Sequence, residues 1–129
     1  MRLSTPLETP RLRLRTLTPD DGRHVGNIKL GPINRHHRRG DIGLLIGERD
    51  QWGRGLAAEA IAAMTAYAFA ELGLNKVVAG CYAANEGSRR AFLKAGFAEV
   101  ARRPRPRHWL SDGVWQDDVV LECFAPARD

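Results

Sequence analysis

The chain has 129 residues, 43% of them hydrophobic and 27% charged, which is the size and composition of one globular domain. No apolar run is long enough to cross a bilayer, and the opening "MRLSTPLETPRLRLR" lacks the apolar centre of a signal peptide, so the expected location is the cytoplasm. A net charge of +5 favours an anionic partner, while two cysteines are too few for a disulfide framework.

In chain order, "RLRLRTL" (11–17) alternates charge and leucine, which predicts a strand with one buried face, and "TPDDG" breaks it. "RHVGNIKLGPI" (23–33) reads as a second strand ending at Pro32. The basic run "NRHHRRGD", with the adjacent His36 and His37, reads as a solvated hairpin turn and lacks metal-ligand spacing. "GDIGLLIGE" (40–48) reads as a third strand whose apolar run implies burial on both faces. Its glycines at 40, 43 and 47 predict a bulge or a close backbone approach near Gly47.

"QWGRGLAAEA" (51–60) then places glycines around an arginine just before a helical pattern begins. From Leu56 to Leu72, the residues Leu56, Ala60, Met64, Ala68 and Leu72 form a stripe at helical spacing, closed by Gly73. "NKVVAGCY" (75–82) reads as a buried strand. "NEGSRRAFLKAGF" (85–97) reads as a short helix capped by Asn85 and stopped at Gly96, with Phe97 packing back on its last turn. "FAEVARR" and "WQDDVVLECF" complete an antiparallel pair. The basic cluster "RRPRPRH" (102–108), with its two prolines, is expected to be an extended loop. Cys81 and Cys123 are expected to be buried free thiols. No zinc-finger, basic-zipper or aromatic RNA-platform pattern is present, so a nucleic-acid partner is disfavoured. The third strand, long helix and fourth strand form a crossover, which makes those two strands parallel. A ligand belongs at their carboxyl ends, beside the helix N-terminus.

A glycine-bearing turn that opens a helix presents unpaired backbone N–H groups and suits a phosphate. "WGRGLA" is neither a nucleotide P-loop nor the dinucleotide fingerprint. With the strand before it and "NEGSRRAFLKAGF" one strand later, the chain resembles the GNAT superfamily of N-acetyltransferases, especially the ribosomal-protein alanine acetyltransferase branch. Trp52, Gly55 and Ala57 fall on the three marked places of that family's pyrophosphate loop, although Trp52 departs from its general Gln/Arg. Asn85, Ser88, Lys94, Gly96 and Phe97 match the segment that opens and closes the following helix, and "LETPRLRLRTLTPDD" looks like the branch's opening strand.

The resemblance implies a single α/β domain over residues 1–129, with a mixed, mostly antiparallel sheet and a splayed parallel strand pair flanked by helices. It implies acetyl-CoA as co-substrate and a primary amine as acceptor: a protein N-terminus, an amino sugar or another small amine. The expected coenzyme contacts are the loop and helix start Trp52, Gly53, Arg54, Gly55, Leu56 and Ala57 for the pyrophosphate. Leu45, Ile46 and Gly47 are expected at the pantetheine arm, with Asn85 opposite and Ser88 beside it.

For proton transfer the candidates are Glu48 or Asp41 as base and Ser88 as acid, with Tyr82 a second choice. Many family members carry a tyrosine at the place of Phe92, which cannot donate a proton. Glu59, in the first helical turn, reads as a capping carboxylate. A non-catalytic acyl-CoA-binding module is the first alternative, and a basic nucleic-acid-binding domain the second.

Family members also place two helices and a strand before "HVGNIKLGPI", where only "TPDDGR" stands here. Asp21-Gly22, a hairpin turn with a strand on one side only, predicts further residues between Thr18 and Gly22. If the shortening is genuine, the exposed sheet edge favours a homodimer.

Overall fold

The computed structural model describes residues 7–14, 26–46, 55–82, 85–109 and 115–126. Its centre is a five-stranded sheet in the order β3-β4-β5-β7-β6, built from β3 (Gly26–Asn34), β4 (Arg39–Ile46), β5 (Lys76–Tyr82), β6 (Ala98–Trp109) and β7 (Trp115–Phe124). Ahead of it, β1 (Leu7–Glu8) and β2 (Arg13–Leu14) pair in a small ladder of their own. Among the described strands only β4 and β5 run parallel, as a crossover through the helix α1 (Leu56–Ala70) requires. The fold class expected from the sequence, a mixed and mostly antiparallel sheet with helices, is the one observed.

One face of the sheet forms the core. Alternation along each strand puts Leu30, Ile42, Val77, Ala79, Val119 and Leu121 on that face, against Ile61, Met64 and Ala68 of α1 and Phe92 of α2 (Glu86–Lys94). The stripe read from the sequence is the buried side of α1: Leu56, Ala60, Met64 and Ala68 are all buried. Leu72 lies beyond the helix and packs against the core. The chain turns out of α1 at Gly73, whose φ is 67°, and the Leu74 N–H donates to the Ala68 carbonyl at 3.0 Å. Gly40 sits beneath Leu74, since a Cβ there would stand 3.0 Å from Leu74 Cδ1, which accounts for a glycine inside a strand.

At the end of α2 the Gly96 N–H donates to the Leu93 carbonyl and the Phe97 N–H to the Phe92 carbonyl, at 3.1 and 3.0 Å. That is a Schellman closure, and its hydrophobic contact is the edge-on Phe92–Phe97 pair, with centroids 5.2 Å apart.

Several expectations are corrected. Of the strand expected over 11–17, residues 11–14 are described, and their first half is a turn. Thr9 to Leu12 form a tight turn with Pro10 in its second place, closed by a 2.9 Å bond from the Thr9 N–H to the Leu12 carbonyl. Arg11 therefore sits at a hairpin tip and, among the described residues 11–14, only Arg13–Leu14 are strand, although Leu12 and Leu14 still face the core as the alternation predicted. "RRPRPRH" is not a loop but part of β6. That strand is the sheet edge, where a proline's missing N–H breaks no ladder, and Pro104 pairs in register with Asp117. β4 is not buried on both faces over 40–43: Gly40 and Ile42 are buried, whereas Gly43 is exposed and Asp41 half-buried. The cysteines are free but only half-buried.

The hairpin around His36 and His37 is observed, with its turn at residues 35–38. The segment between Thr18 and Gly22 and the bulge expected at Gly47 lie outside the described residues.

Candidate functional site

The parallel pairing of β4 with β5 covers Arg39–Ile42 against Lys76–Ala79 and goes no further. Beyond Ile42, β4 stays paired to β3 as far as Ile46, and beyond Ala79, β5 stays paired to β7 as far as Tyr82. The two central strands thus part company, each held on its outer side, and the parting begins four residues before the end of β4. The backbone of Leu45 and Ile46 lies in this parted stretch, where a ligand's amide groups could pair with it.

The crossover from β4 through α1 to the parallel β5 turns the N-terminus of α1 toward the C-terminal ends of these strands. Its cap is Gly55, left-handed at φ 77°, ψ 7°, and among the described residues no side chain caps the helix end. The first N–H returned to the helix is that of Glu59, at 3.1 Å from the Gly55 carbonyl, so those of Leu56, Ala57 and Ala58 precede the hydrogen-bonded ladder. Glycine fits because the left-handed conformation disfavours a side chain, and because the space is already approached by cations. A Cβ on Gly55 would stand 3.3 Å from Lys94 Nζ and 3.4 Å from Arg11 Nη2. Open donors, the positive end of a helix dipole and the nearby Lys94 ammonium make a place for an anion.

Helix α2 begins differently. Asn85 Oδ1 accepts from the Ser88 N–H at 3.1 Å, an N-cap as the sequence predicted. Asn85 is exposed, so its amide N–H₂ group remains available to a ligand while its oxygen serves the helix. Ser88 is half-buried, and among the described residues its hydroxyl has no acid or base within hydrogen-bond reach. Phe92 is 2% exposed, a core residue.

By their place in the topology, Leu45 and Ile46 close β4, Gly55, Leu56 and Ala57 open α1, and Asn85 and Ser88 open α2 just after β5, all toward the C-terminal end of the parallel pair. Gly47, Glu48, Trp52, Gly53 and Arg54 lie outside the described residues. Asp41 does not join this group. It lies five residues, about 16 Å of strand, before Ile46. It pairs with Arg39 at 3.5 Å and lines an open hollow of about 620 Å³ at the other end, beside Pro32 and Asn34.

Glu59 does not cap α1 either. Its carboxylate accepts from the Thr9 hydroxyl, from the Arg11 backbone N–H at 3.1 Å and from Arg11 Nε at 2.8 Å. The Thr9 and Arg11 donors hold its pKa below the ordinary value. Sequence reading missed this contact because its partners are 48 and 50 residues apart, with no periodicity to link them. Burial pushes the Cys81 thiol above its usual range, helped by the charge of Asp118, and burial does the same for Cys123. Among the described residues, no group of His, Cys, Asp and Glu side chains could hold a metal ion.

Residues 11–98 match the family model of the acetyltransferase (GNAT) domain. The chain belongs to the GNAT acetyltransferase family. The probable N-acetyltransferase YjcK of Bacillus subtilis is 34% identical to it over 112 residues, covering 84% of this chain and 59% of YjcK. The putative ribosomal N-acetyltransferase YdaF, also of Bacillus subtilis, is 34% identical over 82 residues, 64% of this chain and 44% of YdaF. Among solved structures, a probable acetyltransferase superposes with a TM-score of 0.72 at 29% identity, over 81% of this chain and 56% of that one. The chain therefore spans roughly half the length of these GNAT relatives. Among its described residues, no helix is long and apolar enough to cross a membrane.

Proposed function

We propose that this GNAT domain, taken as one unit over residues 1–129, is an acetyl-CoA-dependent N-acetyltransferase acting on a primary amine. The observation that carries the reading is the uncapped N-terminus of α1, opened by left-handed Gly55 beside Lys94 and next to the parted ends of β4 and β5. The amide N–H groups of Leu56 and Ala57, with the loop Trp52–Gly55, hold the pyrophosphate. The backbone of Leu45, Ile46 and Gly47 pairs with the pantetheine arm, which Asn85 meets from the α2 side. Acetyl-CoA supplies a thioester whose C–S bond breaks as the acceptor nitrogen forms the new C–N bond.

The residues' tasks are to hold the amine neutral and to receive the departing charge. Glu48 is proposed as the base and Ser88 as the donor to the thiolate. Burial raises the pKa of both half-buried thiols and so disfavours a nucleophilic thiolate, which supports direct transfer over a cysteine relay. The likeness to YdaF supports a protein N-terminus as acceptor, ahead of an amino sugar or another small amine. The proposed setting is the cytoplasm, with homodimerisation through an exposed sheet edge such as β3 or β6.

The core position of Phe92 favours a second reading, a binding module without turnover, because it leaves α2 without the family's usual proton donor. Incubation with acetyl-CoA and a panel of N-terminal peptides, amino sugars and small amines, followed by mass spectrometry of the acceptors, separates the two. An acetylated acceptor supports the enzyme. Saturable coenzyme binding with every acceptor unmodified supports the module.

A further inference from the structure

A carboxylate sits where it should do harm. Glu59 lies in the first turn of α1, four residues after the cap, on the helix end proposed to receive a pyrophosphate. There a glutamate favours the helix dipole but repels an incoming phosphate. Its side chain is 18% exposed, so solvent alone does not screen it away.

What surrounds Glu59 is specific. Among the described residues its three donors come from the hairpin turn at Thr9–Leu12: the Thr9 hydroxyl, the Arg11 backbone N–H and the Arg11 guanidinium. The turn is itself locked, because the Leu12 N–H donates to Thr9 Oγ1 at 3.0 Å, and Leu12 and Leu14 anchor the hairpin in the core. Arg11 engages Glu59 through Nε while its Nη2 lies 3.4 Å from the Cβ position of Gly55. Lys94, in the last turn of α2, brings Nζ to 3.3 Å from the same point. Three elements far apart in sequence thus set the charge at one helix end.

We propose that Arg11, with Thr9, is a positioning residue for phosphate recognition: it neutralises and turns aside the Glu59 carboxylate, so that Lys94 and the α1 amides present a net positive face to the phosphates of the acyl carrier. This rests on the coenzyme reading above. The Arg11–Glu59 pair sums to zero charge and Lys94 supplies the excess. Each substitution therefore has a sign. Arg11→Gln leaves a bare carboxylate, Glu59→Gln leaves an extra cation, and the double substitution returns the pair to neutrality.

The test measures the affinity for CoA by calorimetry in the wild type, Arg11→Gln, Glu59→Gln and the double variant, with thermal melts run alongside. Steady-state rates are measured with acetyl-CoA and with S-acetylpantetheine, which has no phosphates. Arg11→Gln should weaken CoA binding about tenfold and raise KM for acetyl-CoA with kcat held within about twofold. Glu59→Gln should tighten CoA binding several-fold, and the double variant should return to within about threefold of the wild type. The rate constant kcat/KM for S-acetylpantetheine should move by less than about twofold in all three.

Equal losses on both thioesters, or a double variant no better than Arg11→Gln, would make the clamp merely structural and overturn the proposal. If Arg11→Gln does not fold, Glu59→Gln decides alone, and weaker CoA binding by it overturns the proposal. Wild-type protein that binds no CoA overturns both this inference and the coenzyme reading. Wild type that binds CoA but acetylates nothing overturns only the enzyme reading, and the calorimetric series still decides this one.

Discussion

Two helices begin near the same end of the sheet, and they begin in opposite ways. At α2 the Asn85 side chain satisfies the Ser88 N–H, so that terminus is completed from within. At α1 a glycine stands at the cap, no side chain among the described residues bonds the helix end, and two cations approach it. A helix end costs stability when its first N–H groups are left to water, and a side-chain cap recovers about 1 kcal/mol of it. The chain recovers that at α2 and forgoes it at α1, as expected of a terminus kept open for a ligand.

The largest expected effect falls on the open terminus. Gly55→Asp puts a charge and a Cβ at the site and should weaken CoA binding at least about 100-fold by calorimetry, equivalent to about 2.7 kcal/mol. Gly55→Ala sharpens the point. It carries the left-handed strain, about 1 kcal/mol of folding stability, without the charge, so its melt should fall while its CoA affinity drops far less than that of Gly55→Asp.

The closed terminus should respond in the other currency. Asn85→Ala should lower stability by about 1 kcal/mol in a denaturant titration, because the Ser88 N–H loses its acceptor. A loss of CoA affinity larger than that of Gly55→Asp would reverse the assigned roles of the two helix ends.

Much of this contrast was legible in the residues. Asn85 three positions before Ser88, and Gly96 before Phe97, announce the ends of α2 because caps are local chemistry. The glycines before Leu56 announce an unusual start to α1 for the same reason. The Glu59 clamp was not legible, because Pro10 turns the chain at the tip of "TPRL" and carries Arg11 out of the strand that the leucine alternation suggested. The parting of β4 and β5 was expected, but it starts at Ile42–Ala79 and not at Gly47. Where a strand leaves its neighbour depends on pairing partners across the sheet, which period-two patterning does not encode.

The clamp gives a smaller, pH-dependent effect. Because its donors lower the Glu59 pKa, the clamp's stabilisation is complete above the ordinary carboxylate value of 4.5 and is lost as pH falls through the lowered value in the folded state. Melting temperatures of the wild type should exceed those of Glu59→Gln near neutrality and converge with them in acid. A gap that widens as pH falls would contradict the assignment.

The smallest effect is expected from the thiols. Cys81→Ala should keep most turnover, since desolvation disfavours its thiolate and direct transfer needs no relay through it. An acetylated Cys81 trapped by mass spectrometry would contradict direct transfer.

The central claim is that the open end of α1 is the phosphate site. Backbone amide NMR on titration with CoA tests it most directly, because a hydrogen bond to phosphate shifts an N–H strongly downfield. The account predicts that the amides of Leu56, Ala57 and Ala58 shift together and saturate with the calorimetric affinity. If those three amides stay in place while the protein is saturated with CoA, the phosphates bind elsewhere and the account is wrong.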